Sequence, residues 1–251
     1  MKLALCAILL GSVAVGARTT ASPAGAAQMG ATGSAATQTY ANPTLHLTFQ
    51  YPADLAPRDA AAVTVVAKRM VYGADEEAED PDHPKADTCT KVVLSVGKGN
   101  EGSGAAAGVW VRVGVLDVDA RCFPAQVFKN KKATDPLLRN LVKQGTTVMG
   151  MMPLEQPVAY VIQGHRANFC GAQGQPVTGS DLQTGEEQMM GTVVVAIEGH
   201  LVGWVLETND AATFNRLLGS EVDFGAGKPE RLFPAEVRGV GSRDQSSDFG
   251  G

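Results

Sequence analysis

The 251-residue chain reads as an α+β protein, an antiparallel sheet with helices packed on its faces. Three observations point there. Segments of period-2 alternation recur and are joined by glycine turns, as antiparallel hairpins require. Stretches with helix caps stand before, within and after the strand run, which makes a layered α+β domain. Hydrophobic residues make up 44% of the chain and charged residues 19%, enough to close a core.

The N-terminal "MKLALCAILLGSVAVGA" has Lys2, an apolar run to Val15 and then small residues, the pattern of a secretory signal peptide over residues 1–17. Val15 and Ala17 fit a cut after Ala17, and Ala24 and Ala26 fit one as late as residue 27. The run is too short to span a bilayer, which takes about 20 residues, so no transmembrane anchor is expected. A lipoprotein at Cys6 is disfavoured because the apolar run follows the cysteine. Residues 18–39 are mostly Ala, Thr, Gly and Ser with no carboxylate, so a disordered linker is expected. One domain then fills 40–233, and residues 234–251 form a polar tail without a core.

Within the domain, "TLHLTFQYP" alternates Leu45, Leu47 and Phe49 with polar residues and is a half-buried strand ended by Pro52. "RDAAAVTVVAKRMVYG" is valine-rich, but Asp59 as cap, the Val63, Val66, Met70 spacing and Gly73 favour a helix. "CTKVVLSVG" and "VWVRVGVLDV" pair as a hairpin across the glycine-rich "KGNEGSGAAAG", with Val109, Val111, Val113 and Val115 on one face. "TDPLLRNLVKQG" is a helix with Asp135 as cap, Pro136 in its first position and Gly145 as stop. "TTVMGMMPL", "VAYVIQGHRANFC" and "QMMGTVVVAIEGHLVGWVLET" are strands turning at Gly164 and Gly199, and residues 171–187 form a polar excursion between them. Asn209 or Asp210 caps a last helix with Ala211, Phe214, Leu217 and Leu218 on its apolar stripe.

Secretion makes cysteine pairing natural. Of Cys89, Cys122 and Cys170, the pair Cys89–Cys122 is favoured because the two flank neighbouring strands; 122–170 and 89–170 stay open. With 21 basic and 26 acidic residues the net charge is −5, which argues against a nucleic-acid partner.

The leading "LHLTFQYPADL", the central strands and the late "TVVVAIEGHLVGWVLETNDAATFNRLLGSEVDF" resemble the PsbP-like superfamily, and the whole chain resembles a secreted bacterial group of that kind. An extended "F.YP" segment opens the sheet in that family, and a late hairpin leads to a helix with a Phe near its middle and a Ser at its end, as Phe214 and Ser220 stand here. The resemblance implies an α/β/α sandwich and a non-enzymatic binding or assembly role. The acidic loop and the cysteine pair depart from the photosystem subunits that name the family, so photosynthetic function is not implied.

The chemical constellations are sparse. His200, Trp204, Glu207 and Asp210 fit a hairpin running into a helix, with His200 at an exposed turn and on the same side as Trp204. Cys170 with His165 or His200 is the alternative, a Cys/His hydrolase or redox protein. Residues 165 and 170 differ by an odd number and so face opposite ways on one strand. The acidic loop offers Asp75, Glu76, Glu77, Glu79, Asp80, Asp82 and His83 to a partner or a cation. An EF-hand counted from Asp80 has Lys85 and Lys91 where Gly and Glu belong, and no zinc spacing is present, so no metal and no cofactor are expected. Met149, Met151 and Met152 could line an apolar pocket in a small-ligand carrier. The leading expectation is a secreted or periplasmic, non-enzymatic binding or accessory protein. Its partner is an unidentified protein or small ligand, met by the acidic loop and the 171–187 excursion.

Overall fold

Alternation governs the strands and places their side chains on two different cores. The computed structural model describes residues 36–72, 86–99, 108–147, 151–154, 156–174, 187–197 and 199–234, all within the compact unit that starts at residue 35. Strands β1 (Thr37–Asn42), β2 (Leu47–Pro52) and β3 (Ala56–Pro57) lead to helix α1 (Ala61–Tyr72) and the short α2 (Ala86–Cys89). Strands β4 (Thr90–Lys98) and β5 (Val111–Asp119), a 3-10 turn (Ala120–Cys122), α3 (Gln126–Lys129) and α4 (Lys131–Thr146) follow. The chain then builds β6 (Met151–Pro153), β7 (Val158–Ile162), β8 (His165–Gly174), β9 (Gln188–Ile197) and β10 (His200–Thr208). It closes with α5 (Ala211–Leu218), β11 (Glu221–Asp223) and β12 (Glu230–Arg231).

Eight strands form the main antiparallel sheet, in the order β3-β4-β5-β10-β9-β8-β6 with β7 also paired to β8. The α+β class is as the sequence predicts, and so are the β4–β5 and β9–β10 hairpins. One face carries Leu116, Val194, Leu201 and Val205 against Val63, Val66 and Met70 of α1 and Leu138 and Leu141 of α4. The other carries Val113, Val193 and Trp204 against Leu47 and Phe49 of β2 and Phe214 and Leu217 of α5. The leading strand therefore does not join the main sheet. It belongs to a second sheet, β1-β2-β11-β12, so the front layer is a small sheet with α5 and not helices alone.

Several boundaries differ from expectation for local reasons. β1 begins at Thr37, inside the stretch read as linker, because the edge of β2 supplies backbone partners from Thr37↔Pro52 to Asn42↔Leu47. α4 starts four residues before Asp135: Asn130 is its cap, its Oδ1 accepting from Lys132 N at 2.9 Å, and Pro136 lies inside the helix. Asp135 instead accepts from Arg166 Nη1 at 2.7 Å. Gly145 does not stop the helix; a Cβ there would stand 2.5 Å from Met70 Cγ, so glycine lets α4 approach α1. Thr146 ends α4, and Met151–Pro153 are the strand among the described residues of the expected 146–154 segment. β8 runs to Gly174, so residues 171–174 of the excursion are strand. Cys89 closes α2, one residue before β4.

The last helix fits its sequence signal. Asp210 caps α5, with Oδ2 accepting from Thr213 N at 2.7 Å, and its carboxyl is held below the ordinary range by hydrogen bonding to Thr213. The chain after α5 straps across the front core. Tyr160 donates its hydroxyl to Leu232 O at 2.7 Å, and burial pushes its phenol well above the ordinary value. Phe233 packs on Phe169 with ring centroids 4.4 Å apart.

Gly114 tests how tightly α1 lies on the sheet. A Cβ there would be 2.4 Å from Val63 Cγ1, a β-branched side chain with little rotamer freedom. Gly114→Ala is expected to cost about 1–3 kcal/mol, as overpacking does. Urea midpoints at an unchanged slope check this, and wild-type stability would mean that α1 lifts without penalty.

Candidate functional site

The entry to α1 is bolted to the end of the main sheet. Asp59 Oδ1 accepts from Ala61 N at 2.6 Å, as a cap does. Arg58 N donates to Ser95 O at 3.0 Å, and Ser95 Oγ donates to Asp59 O at 3.0 Å, which fixes this turn on β4. Two glycines make room for it. At Gly97 a Cβ would stand 2.4 Å from Val111 O and 3.3 Å from Arg58 Cγ. Gly99 has φ +68°, and its Cβ would be 2.9 Å from Trp110 Cα. Arg58 therefore lies along the strand end and donates from Nη2 to Gly99 O at 3.1 Å.

The facing wall is the start of β5. Val111 points into the front core, so alternation sends Trp110 and Arg112 to the helix side. Arg112 Cζ lies 5.9 Å from the centroid of the Trp110 ring, in cation–π range. Arg112 Nη1 also donates to Glu207 Oε2 from the directly opposed position on β10, which compensates a carboxylate only 4% exposed. Trp110 is anchored through its backbone: its N donates to Asn209 Oδ1 at 3.0 Å, and its O accepts from Thr208 Oγ1 at 2.7 Å. Its indole Nε1 is buried with no hydrogen-bond partner among the described residues.

Between these walls is a cleft of about 450 Å³, floored by the alanines of the first turn of α1. A volume of this size fits small-molecule pockets of roughly 300–1,000 Å³. Among the described residues three cations, Arg58, Lys98 and Arg112, line it with one carboxylate, Asp59. Lys98 Nζ stands 2.6 Å from Asp54 Oδ2, and that hydrogen bond holds the Asp54 carboxyl below its ordinary range.

The residues singled out from sequence are scattered. Asp75, Glu76, Glu77, Glu79, Asp80, Asp82, His83 and Met149 lie outside the described residues, as do residues 175–186 of the excursion. The described residues contain no cluster of three or more potential metal ligands. The Cys89–Cys122 bridge is formed, with Cα atoms 5.9 Å apart. Cys170 is outside the bridge and buried in the helix-side core. His165 meets Phe224 on the front face, with ring centroids 5.3 Å apart. His200 is not at an exposed turn. It opens β10 opposite Ile197, on the Trp204 side by alternation, and its Nδ1 is 2.8 Å from Asp117 Oδ1. Both histidines are thus across the sheet from Cys170, which removes the Cys/His pair. The methionine pocket is also corrected: neighbouring residues of a strand face opposite ways, Met151 packs on the helix-side core, and Met152 is 74% exposed.

The cleft residues escaped sequence reasoning. The available signal was the Trp110-x-Arg112 alternation on the face of β5 opposite Val111, Val113 and Val115, across from Gly97 and Gly99.

No family model and no curated protein matches the chain. Among solved structures, it is similar to cyanobacterial PsbP from Synechocystis sp. PCC 6803, at 12% identity over 76% of this chain and 89% of that one, with a TM-score of 0.31. It is also similar to a protein of unknown function from Pseudomonas aeruginosa, at 15% identity over 72% of this chain and 87% of that one, with a TM-score of 0.27. Likeness at this distance bears on neither ligand nor activity. No helix among the described residues is long and apolar enough to cross a membrane.

Proposed function

We propose that the protein is a secreted or periplasmic, non-enzymatic binding module of PsbP-like kind whose contact site is the cleft at the start of α1. The observation that carries this is the buried indole N–H of Trp110, a donor with no acceptor among the described residues, on a wall flanked by Arg58 and Arg112. A buried donor left unpaired costs about 1–3 kcal/mol, which an acceptor-bearing ligand would recover. The lining offers hydrogen-bond donors and apolar surface, and Asp59, the one carboxylate among its described residues, is occupied as a helix cap. Export is supported by the leader-like N-terminal sequence and by a disulfide, which persists in oxidising compartments.

The test is a fragment screen followed by the indole 1H–15N resonances. There are only two tryptophans, so Trp110→Phe assigns the pair. Bound fragments are expected to shift the Trp110 resonance and leave that of Trp204 in place. If fragments of every charge leave Trp110 unmoved, the cleft is not the contact site.

A further inference from the structure

We infer that the cleft takes a small organic carboxylate, its head group held by Arg58 and Arg112 and its apolar body laid against Trp110. This rests on the cleft being the contact site. The head group follows from the donors. An indole N–H only donates, as do guanidinium groups, so the ligand must present acceptors. Guanidinium forks match the two oxygens of a carboxylate.

The backbone adds to this. Ala61 and Ala62 line the cleft beside the capping Asp59, so their small side chains leave the first turn of the twelve-residue α1 open to a ligand. That helix end carries positive potential.

The charge balance selects a monoanion. Lys98 is matched by Asp54 and Arg112 by Glu207, whereas Arg58 is held by a carbonyl oxygen and shares the cleft with the capping Asp59. The three cations are thus countered by three carboxylates, too little excess charge for a phosphate dianion. One carboxylate, aided by the helix end and the indole N–H, is within reach. The remaining wall is apolar, formed by the two alanines and the Trp110 ring, which suits a hydrocarbon or aromatic body.

The probes are benzoate, its neutral isostere benzamide, and inorganic phosphate, each titrated while the two indole resonances are followed. Benzoate is expected to move Trp110 and not Trp204, to bind at least about tenfold more tightly than benzamide, and to weaken about tenfold in Arg58→Gln. Added salt should weaken benzoate and leave benzamide unchanged. Melting temperature checks that Arg58→Gln stays folded, and Arg58→Lys, which keeps charge without the fork, should bind with intermediate strength. Equal affinity for benzoate and benzamide, or tighter binding of phosphate, overturns the inference. If neutral fragments shift Trp110 and carboxylates do not, the inference falls while the cleft remains the contact site. If nothing shifts Trp110, both fall.

Discussion

Trp204→Ala is expected to cost about 3–5 kcal/mol, the usual penalty for emptying a large buried aromatic position. Trp204 is fully buried on β10 between Val115 and Val193, and it meets Phe49 at 6.1 Å and Phe224 at 6.2 Å between ring centroids. It is therefore the point where the main sheet, the small sheet and the chain after α5 press on one another. Stability of a domain is only about 5–15 kcal/mol, so this loss is a large part of the whole. Trp204→Phe separates packing from polarity. The indole N–H of Trp204 is also buried without a partner among the described residues, so the phenylalanine keeps a ring and removes that donor. Its expected cost is smaller than that of the alanine variant, because it leaves a smaller cavity. Urea unfolding of both variants measures the difference, with Trp204→Phe as the reading if the alanine variant is not recovered folded. Equal stability of Trp204→Ala and wild type would mean that the two sheets are not joined through this residue.

The same residue shows what the sequence could reveal. Period-2 alternation identified β4, β5, β9 and β10 because each strand is long and has a face buried against another layer. It also placed Trp204 and His200 on one side. Asp210 was legible as a cap because capping is local chemistry. The small sheet was not legible: β11 and β12 have three and two residues, too few to show a period, and β1 is mostly exposed. The start of α4 was misplaced because Asp135 before Pro136 reads as a cap, whereas Asn130 caps the helix and Asp135 pairs with Arg166 from β8, a tertiary contact.

The cleft failed to show for another reason. Its elements, Arg58, Gly97, Gly99, Trp110 and Arg112, come from three separate segments, and only the β4–β5 register brings them together. Glycines beside a hairpin connection read as turn residues. Their closeness to Arg58 and Trp110 is a tertiary fact with no local trace.

Loss of the Cys89–Cys122 bridge should destabilise the domain by an amount comparable to the tryptophan truncation. The cysteines are 33 residues apart, and chain-entropy bookkeeping for such a loop gives about 3–4 kcal/mol. At about 2–4 °C per kcal/mol for a domain of this size, the double variant Cys89→Ala/Cys122→Ala should melt roughly 6–16 °C lower. Where the bridge sits decides its effect on binding. It closes the end of the β4–β5 ladder at Thr90↔Val118, whereas the cleft is at the other end, at Lys98↔Val111. Nine-residue strands put those ends about 25–30 Å apart. Well below its lowered melting temperature, the double variant should therefore show the wild-type indole shift of Trp110 with benzoate. A normal melting temperature would mean that the bridge constrains little in the unfolded chain. A lowered melting temperature together with a lost benzoate response would mean that the whole ladder transmits strain from one end to the other, and the bridge would then belong to the site as well as to the fold.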